Sequence, residues 1–308
     1  MTLVDVRSLA ARLSDGIAVI DVRWRLGGPP GRDGYLAGHI PGATFLDLDE
    51  EVCGVPGAAR GRHPLPEPEA LQEALRAAGV RTGVPVVVYD AGDGVSAARL
   101  WWTLRWAGHE HVAVLDGGLA AWIEAGLPLE AGAVVPAPGN ITVQPGGMAV
   151  LDADGAADLA QAGLLIDARV EPRYRGEVEP VDPVAGHIPG AVNLPVMLLV
   201  DASGRLRPVG ELRAAVEGAV VRARFARAEA AVGAAVGAGT EESTVRSALW
   251  PGATVGVPVG AYCGSGVTAA QTILALFVAG YRDAALYVGS WSEWCADGSR
   301  PIARGGMA

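Results

Sequence analysis

Short runs of β-branched residues alternate with amphipathic segments along this chain, and each alternation predicts a buried strand followed by a helix. The strands of the first half are predicted over 84–90 and 111–116, and its helices over 66–79, 96–108 and 118–125. The second half has predicted strands over 257–262 and 284–288, with a helix over 267–280 between them. Alternating strands and helices favour parallel strands joined by right-handed crossovers, so the pattern predicts an α/β fold.

The sequence repeats itself. The hexapeptide Gly-His-Ile-Pro-Gly-Ala occurs at 38–43 and again at 186–191. An apolar run ending in Asp-x-Arg precedes each copy, at Asp21–Arg23 and Asp167–Arg169. A six-residue identity in register with further matches is typical of a duplication, so each half is predicted to be one domain. Because Asp-x-Arg and the histidines His39 and His187 occur in both halves, they are expected to serve the fold.

The domain boundaries follow from composition. Residues 1–125 form the predicted first domain and 151–308 the second, and the Pro- and Gly-rich segment 126–150 is predicted to link them. The second half carries an insertion within 211–255. Its Ala- and Arg-rich part, 211–236, predicts an extended helix, and its Gly/Ser/Thr-rich part, 238–255, predicts an exposed loop. A tolerated surface elaboration is favoured over a functional role.

Composition excludes several functions. The net charge of −10 argues against a nucleic acid or an anionic membrane surface as the main partner. All 24 basic residues are arginine, and the absence of lysine excludes Schiff-base and pyridoxal-phosphate chemistry and a nucleotide P-loop. No cluster of Cys and His has metal-ligand spacing, so neither a metal nor a cofactor is expected.

The three cysteines, Cys53, Cys263 and Cys295, are far apart and odd in number, which argues against a disulfide framework. The N-terminus meets an acid at Asp5 and lacks the order of a signal peptide. No stretch of about 18 apolar residues is free of charge, so no membrane span is predicted. These features together predict a cytoplasmic protein.

The loop after the strand over 257–262 carries the candidate chemistry. Cys263 lies at the predicted strand end, and a helix begins about four residues later, after Gly264-Ser265-Gly266. These residues leave backbone N–H groups unobstructed, and the helix N-terminus beneath them favours a thiolate over a thiol. The loop therefore predicts a nucleophilic Cys263 whose surroundings can cradle an anion bonded to its sulfur.

This loop, the doubled hexapeptide and the motif Gly289-Ser-Trp-Ser-Glu-Trp294 resemble the two-domain rhodanese family, the thiosulfate and 3-mercaptopyruvate sulfurtransferases. The resemblance implies two tandem rhodanese-like domains, each a parallel sheet flanked by helices. It implies that Cys263 takes a sulfane sulfur from a small donor and holds it as a persulfide. The acceptor would be a thiol, such as thioredoxin or glutathione, or cyanide. Because Asp90 stands where the second half has Cys263, the first domain is expected to be catalytically silent.

The resemblance also implies roles for further residues. Ser265 and Asp49 would relay a proton with Cys263, His63 would help to orient the substrate, and Arg173 would bind the anionic group of the donor. The remaining loop residues would bind substrate through the backbone: Gly264, Gly266, Val267 and Thr268. From the residues alone, a solvated acid is favoured for Asp49 over a catalytic one, and an ordinary loop histidine is favoured for His63.

Two indicators of the donor disagree. A neutral pair after the cysteine, here Gly264-Ser265, goes with 3-mercaptopyruvate in this family. Mercaptopyruvate enzymes also supply two arginines for the substrate carboxylate, but the position of the second holds Val181, as in a thiosulfate enzyme. The balance favours 3-mercaptopyruvate slightly.

Two other function classes fit parts of the pattern. A phosphatase or arsenate reductase also uses a cysteine in an amide-lined loop, but it needs an arginine six or seven residues later. Those positions hold Ala269 and Ala270, so this alternative is weak. A non-catalytic rhodanese-like binding module is the other alternative, and the presence of Cys263 argues against it. Formation of thiocyanate from thiosulfate and cyanide would distinguish an enzyme from such a module.

Overall fold

The computed structural model describes residues 2–237 and 256–306, without the side chains of 230–237. The first half forms one sheet, whose strands are β1 Leu3–Val4, β2 Ala18–Asp21, β3 Thr44–Phe45, β4 Val86–Tyr89 and β5 Val112–Leu115. Their spatial order is β1-β5-β4-β2-β3, and every neighbouring pair is parallel.

The second half repeats this sheet. Its strands are β6 Val150–Leu151, β7 Leu164–Asp167, β8 Val192–Asn193, β9 Val259–Tyr262 and β10 Ala285–Tyr287. The order β6-β10-β9-β7-β8 is that of the first sheet, again with parallel pairs throughout. Identical topology in the two halves confirms the predicted fold of two tandem α/β domains.

Helices flank both sheets. Those of the first half are α1 Val6–Ala10, α2 Gly31–Ala37, α3 Pro68–Ala77, α4 Val95–Trp106 and α5 Gly118–Glu124. Those of the second half are α6 Ala153–Ala162, α7 Glu171–Arg175, α8 Val209–Gly237, α9 Val267–Ala279 and α10 Ser290–Trp294. Each helix and strand predicted from the pattern is observed with its ends shifted by at most two residues. None of the helices in the described ranges is long and apolar enough to cross a membrane.

The predicted extended helix of the insertion is α8, whereas the predicted loop 238–255 lies outside the described residues. The predicted linker 126–150 has no helix and no strand before β6, and it packs along the first domain. Ile141 is buried within it, and the N–H groups of Gly139 and Gly147 donate to the carbonyls of Arg76 and Trp106. The segment is therefore packed against the first domain and is not a free linker.

The two domains share a core. Helices α4 and α9 pack against each other, and the buried side chains around them form one continuous apolar cluster drawn from both halves. Trp101 of α4 meets Phe277 of α9 edge to face, with ring centroids 5.4 Å apart, an arrangement that contributes about 1 kcal/mol beyond burial. Since the strands that carry the loops lie beside these helices, this shared core fixes one domain's loops against the other's.

The repeated Asp-x-Arg and histidine elements are structural, as predicted. Arg23 donates to the carboxylate of Asp21 and to the carbonyl of Gly38, and the second half repeats these bonds. His39 is buried and its Nδ1 lies 2.8 Å from the carbonyl oxygen of Tyr35, with an equivalent bond at His187. These contacts tie each strand end to the hexapeptide turn.

Candidate active site

Cys263 follows the central strand β9 directly, and α9 begins four residues later at Val267. Its side chain is 2 % exposed, and the N–H of Gly266 donates to Sγ at 3.1 Å. Gly266 has φ +82°, and a Cβ there would collide with the carbonyl oxygen of Val288. Val267 and the partly exposed Thr268 form the first turn of α9, whose leading N–H groups have no acceptor within the helix. The loop thus holds the sulfur at the positive end of a helix.

The equivalent loop of the first domain contains an anion of its own. The carboxylate of Asp90, which takes the place of the cysteine as predicted, accepts the N–H groups of Gly92, Gly94 and Ala97 at 2.9–3.1 Å. Burial and the nearby charge of Asp93 raise the pKa of Asp90 to about 6, although these three hydrogen bonds oppose the shift. A loop of this design can therefore enclose an anion in a ring of amides.

A turn at the start of α10 clamps the Cys263 loop. The N–H of Trp291 donates to the carbonyl of Cys263 at 3.0 Å, and the N–H of Ser292 donates to that of Gly264 at 2.9 Å. Ser290 accepts the N–H of Cys263 at 3.1 Å through Oγ and donates to the carbonyl of Tyr287 at 2.8 Å. Ser290 has φ +54°, and no other non-glycine residue in the described part of the chain has a positive φ. This strain accompanies a residue that positions the nucleophile.

We expect Ser290→Gly to lower kcat for sulfur transfer several-fold while the melting temperature stays within about 3 °C of that of the wild type. Glycine relieves the left-handed strain, which offsets the lost hydroxyl hydrogen bonds of about 1 kcal/mol each. Ser290→Ala loses the hydroxyl and keeps the strain, so it should lower both activity and stability. Kinetics and thermal melting of the two variants test this, and an unchanged kcat in both would remove Ser290 from the positioning of Cys263.

Three residues predicted for the site form one hydrogen-bonded series across the domain boundary. Ser265 Oγ lies 2.7 Å from His63 Nδ1, and His63 Nε2 lies 3.1 Å from Asp49 Oδ1. Because a carboxylate only accepts, Nε2 carries the proton and donates to Asp49, and the Ser265 hydroxyl donates to Nδ1. His63 therefore stands between Ser265 and Asp49, the two residues predicted to relay a proton without it.

The surroundings of His63 keep its ring neutral. Burial lowers the pKa of His63 to about 4; the Asp49 carboxylate opposes this shift, whereas the charges of Arg99 and Arg62 add to it. Trp24 contacts both Asp49 and His63. Its Nε1 donates to Asp49 Oδ2 at 2.8 Å, and its ring meets the His63 imidazole edge to face, with the ring centroids 5.2 Å apart. Trp24 was not predicted from the sequence.

Arg173 lies on α7 and pairs with two buried carboxylates. Its Nε and Nη2 donate to Glu179 at 3.0 and 2.6 Å, and Nη2 also donates to Asp182 at 3.1 Å. Burial alone would raise the pKa of Glu179, but the hydrogen bonds from Arg173 and from the N–H of Asp182 outweigh it and the pKa is lowered. A Cβ at Gly264 would lie 3.6 Å from Arg173 Nη1, so this guanidinium reaches the residue after Cys263.

Two further arginines reach the site from the first domain. Arg62 forms an ion pair with Asp182, and a Cβ at Gly264 would lie 3.0 Å from its Nη2. Arg99 of α4 is fully buried and donates to the carbonyls of His63 and Gly266 at 2.9 and 3.3 Å. Arg99 has no carboxylate partner among the ion pairs of the described residues, and its hydrogen bonds tie the His63 segment to the Cys263 loop. The sequence pattern assigns no role to either arginine: Arg62 precedes His63, and Arg99 lies within the predicted helix over 96–108.

The first domain's loop has a cover of its own, supplied by the second domain. A hairpin over 200–206 lies against the Asp90 loop, since a Cβ at Gly204 would collide with the carbonyl oxygen of Gly92. The N–H of Leu206 also donates to Asp116, which follows β5, at 3.3 Å. Gln271, at the position in α9 that Arg99 has in α4, donates to the carbonyl of Asp93 at 2.6 Å. Each domain thus lays the segment after its third strand over the other domain's loop. Within residues 2–237 and 256–306, no three His, Cys, Asp or Glu side chains are grouped to hold a metal ion.

The chain is similar to known proteins along most of its length. The family model "Rhodanese-like domain" matches residues 5–125. The chain is 42% identical over 98% of its length to the "Putative thiosulfate sulfurtransferase SseB" of Mycobacterium tuberculosis, covering 97% of that protein. It is 43% identical over 98% of its length to the "Probable 3-mercaptopyruvate sulfurtransferase" of Pseudomonas aeruginosa, covering 98% of it.

A solved structure shares the architecture as well. The crystal structure of SseA from Escherichia coli, described as a 3-mercaptopyruvate sulfotransferase, matches with a TM-score of 0.76 and 32% identity. The match covers 94% of this chain and 99% of SseA. Full-length similarity at this level, together with the repeated sheet order and the cysteine loop, means that the chain belongs to the two-domain rhodanese family and is a sulfurtransferase.

Proposed function

We propose that this enzyme takes a sulfane sulfur from 3-mercaptopyruvate, holds it as a persulfide on Cys263 and passes it to a thiol acceptor. The observation that carries the choice of donor is the Ser265–His63–Asp49 series beside the Cys263 loop. A thiol donor must lose a proton and its carbon product must gain one, and a hydroxyl on a neutral imidazole can move that proton.

The first step is an attack of the Cys263 thiolate on the sulfur of the donor. The donor's carbon–sulfur bond breaks, and its electron pair leaves as the enolate of pyruvate while a Cys263 sulfur–sulfur bond forms. The proton of the donor thiol passes through Ser265 and His63 to the enolate carbon, giving pyruvate. The resulting persulfide anion would lie in the ring of N–H groups from Gly264 to Thr268, as the Asp90 carboxylate lies in the first domain.

The second step returns the enzyme to its starting state. A thiolate acceptor, such as that of glutathione or thioredoxin, attacks the outer sulfur of the persulfide. The sulfur–sulfur bond to Cys263 breaks, the acceptor leaves as a persulfide, and the Cys263 thiolate is restored. Cyanide accepts the same sulfur and leaves as thiocyanate. The Asp90 loop of the first domain, which has a carboxylate in place of the cysteine, carries no sulfur in this transfer.

Thiosulfate is a second candidate donor, favoured by Val181 at the position of the second substrate arginine. In that reaction the Cys263 thiolate attacks the outer sulfur and sulfite leaves with the electron pair of the broken sulfur–sulfur bond. No proton has to move, so the relay would be idle. The ratio of kcat/KM for the two donors, measured on one preparation with cyanide as acceptor, decides between them. A ratio in favour of thiosulfate would overturn the choice of 3-mercaptopyruvate.

We expect Arg173→Lys to raise KM for the donor about tenfold with little change in kcat, because a lysine ammonium cannot bind Glu179 and Asp182 and still present a free donor beside Gly264, as the guanidinium does through Nη1. Lysine keeps the charge between Glu179 and Asp182, so the fold should persist. Arg175→Lys, on the same helix and 44% exposed, is the matched control and should leave KM unchanged. A KM for Arg173→Lys that equals those of Arg175→Lys and the wild type would exclude Arg173 from donor binding.

A further inference from the structure

The expected pair of substrate arginines is incomplete in the second domain, where Val181 takes the place of one of them. We infer that Arg62, contributed by the first domain, is the second arginine and binds the anionic group of the sulfur donor together with Arg173. This inference rests on the proposed function. Both guanidinium groups face Gly264: a Cβ on that residue would lie 3.0 Å from Arg62 Nη2 and 3.6 Å from both terminal nitrogens of Arg173.

The hydrogen bonds of the two arginines leave donors free on the side of Gly264. Arg62 uses Nη1 for Asp182, and Arg173 uses Nε and Nη2 for Glu179 and Asp182. In the described structure Arg62 Nη2 and Arg173 Nη1 have no hydrogen-bonding partner, and Arg62 Nε is buried without one. The unpartnered Nε of Arg62 is costly because it is buried, and a carboxylate beside Gly264 would offer acceptors to the free donors of both arginines.

The backbone of Arg62 is fixed to the second domain. Its N–H donates to Ser292 Oγ at 3.1 Å, in the turn that clamps the Cys263 loop. Gly61 has φ +78°, and a Cβ there would lie 2.5 Å from the carbonyl oxygen of Gly289, so only glycine allows this approach. Arg62 is therefore held at the site through its main chain, independently of its ion pair.

The charges around the two arginines favour a monoanion. The carboxylates of Asp182 and Glu179, 3% and 4% exposed, neutralise Arg62 and Arg173, which are 27% and 17% exposed. The four groups together are neutral, so one donor carboxylate leaves the cluster with one negative charge, whereas thiosulfate would leave it with two. A partly desolvated site penalises the second charge. The cluster thus favours 3-mercaptopyruvate over thiosulfate.

The first test compares Arg62→Gln, Arg62→Lys and the control Arg60→Gln. Arg60 belongs to the same segment but is 58% exposed and pairs with Glu67. KM for 3-mercaptopyruvate should rise at least about tenfold in Arg62→Gln with kcat within about threefold, and Arg62→Lys should lie between it and the wild type. The control should match the wild type. An unchanged KM in Arg62→Gln would overturn the inference.

A second readout does not depend on the donor. The alkylation rate of Cys263 is measured with iodoacetate and with iodoacetamide, which differ in charge but share the leaving group, and the modified peptide is identified by mass spectrometry. In Arg62→Gln the rate with the anionic iodoacetate, divided by the rate with the neutral iodoacetamide, should fall about tenfold. In Arg60→Gln this ratio should not change. If the wild type prefers thiosulfate, the proposed donor is contradicted. A fall in the alkylation ratio of Arg62→Gln would still support Arg62 as an anion-binding residue in that case. An unchanged ratio would exclude Arg62, whichever donor is used.

Discussion

Replacing Cys263 with serine is expected to lower kcat for sulfur transfer at least about a thousandfold, since a hydroxyl cannot carry a persulfide and is a far weaker nucleophile than a thiolate. The substitution is nearly isosteric in a site that is 2% exposed, so folding should be unaffected. Initial rates with each donor and cyanide, together with thermal melting, measure the two effects separately. A variant that melts like the wild type and retains a tenth of its activity would exclude Cys263 as the sulfur carrier.

The other two cysteines provide the control. Cys53 and Cys295 are buried and unpaired, and burial raises the pKa of both thiols, which keeps them protonated and unreactive. Cys53→Ser and Cys295→Ser should therefore keep most of the activity. Mass spectrometry of the donor-treated wild type should find one added sulfur on the Cys263 peptide. An added sulfur on either of the other peptides would move the site.

His63→Gln should lower kcat for 3-mercaptopyruvate about a hundredfold, the usual contribution of a positioned acid–base group, and should affect thiosulfate much less. The reason for the difference is that only the thiol donor requires proton transfer. Glutamine is polar and fills much of the space of the imidazole, while Asp49→Asn tests the far end of the series and should show the same donor dependence. Equal losses with both donors would mean that His63 serves structure or binding rather than the relay.

The pH dependence follows from the same residue. Because burial lowers the pKa of His63 to about 4, its ring is neutral from pH 5 to pH 8 and can accept the proton of Ser265 throughout that range. Any loss of kcat caused by protonation of His63 should therefore appear near pH 4, well below the ordinary histidine value near 6.5. A loss centred near pH 6.5 that disappears in His63→Gln would contradict the shift.

Patterns within one element were predictable from the sequence. Apolar runs predict the buried strands over 86–89 and 259–262. The glycine-containing loop between a strand and a helix predicts that Cys263 is the nucleophile. The duplication added confidence in the domain organisation, because two copies with one order of elements imply one topology. The two-residue strands β1, β3, β6 and β8 were not predicted, since two residues cannot show a period of two.

The cross-domain contacts could not be predicted in this way. Asp49 lies in a short π-helix over 48–52 and Arg62 in a stretch without helix or strand, and the roles of both depend on which loop of the other half lies over them. Trp24 follows a strand end as an ordinary aromatic residue would, and Ser290 shows no sign of its strain until its backbone is seen. Comparing the two halves offers a signal for Ser290: Gly118, at the equivalent position, has a φ of +55°. A serine at a position where the other half has glycine with the same positive φ indicates that the serine side chain is needed there.

The reciprocal covering of the two loops carries information about ancestry. Two copies of a single repeat related by a twofold axis would make these contacts twice, each copy closing the other's nucleophilic loop, as in an isologous dimer. Joining the copies in one polypeptide removes the requirement that they stay alike. Here one loop has Asp90 in place of the cysteine, and the segment over the Cys263 loop carries the hydrogen-bonded pair His63 and Asp49, whereas 200–206 contains no histidine. An isolated second half would accordingly have the nucleophile and none of the polar groups that the first half lends it.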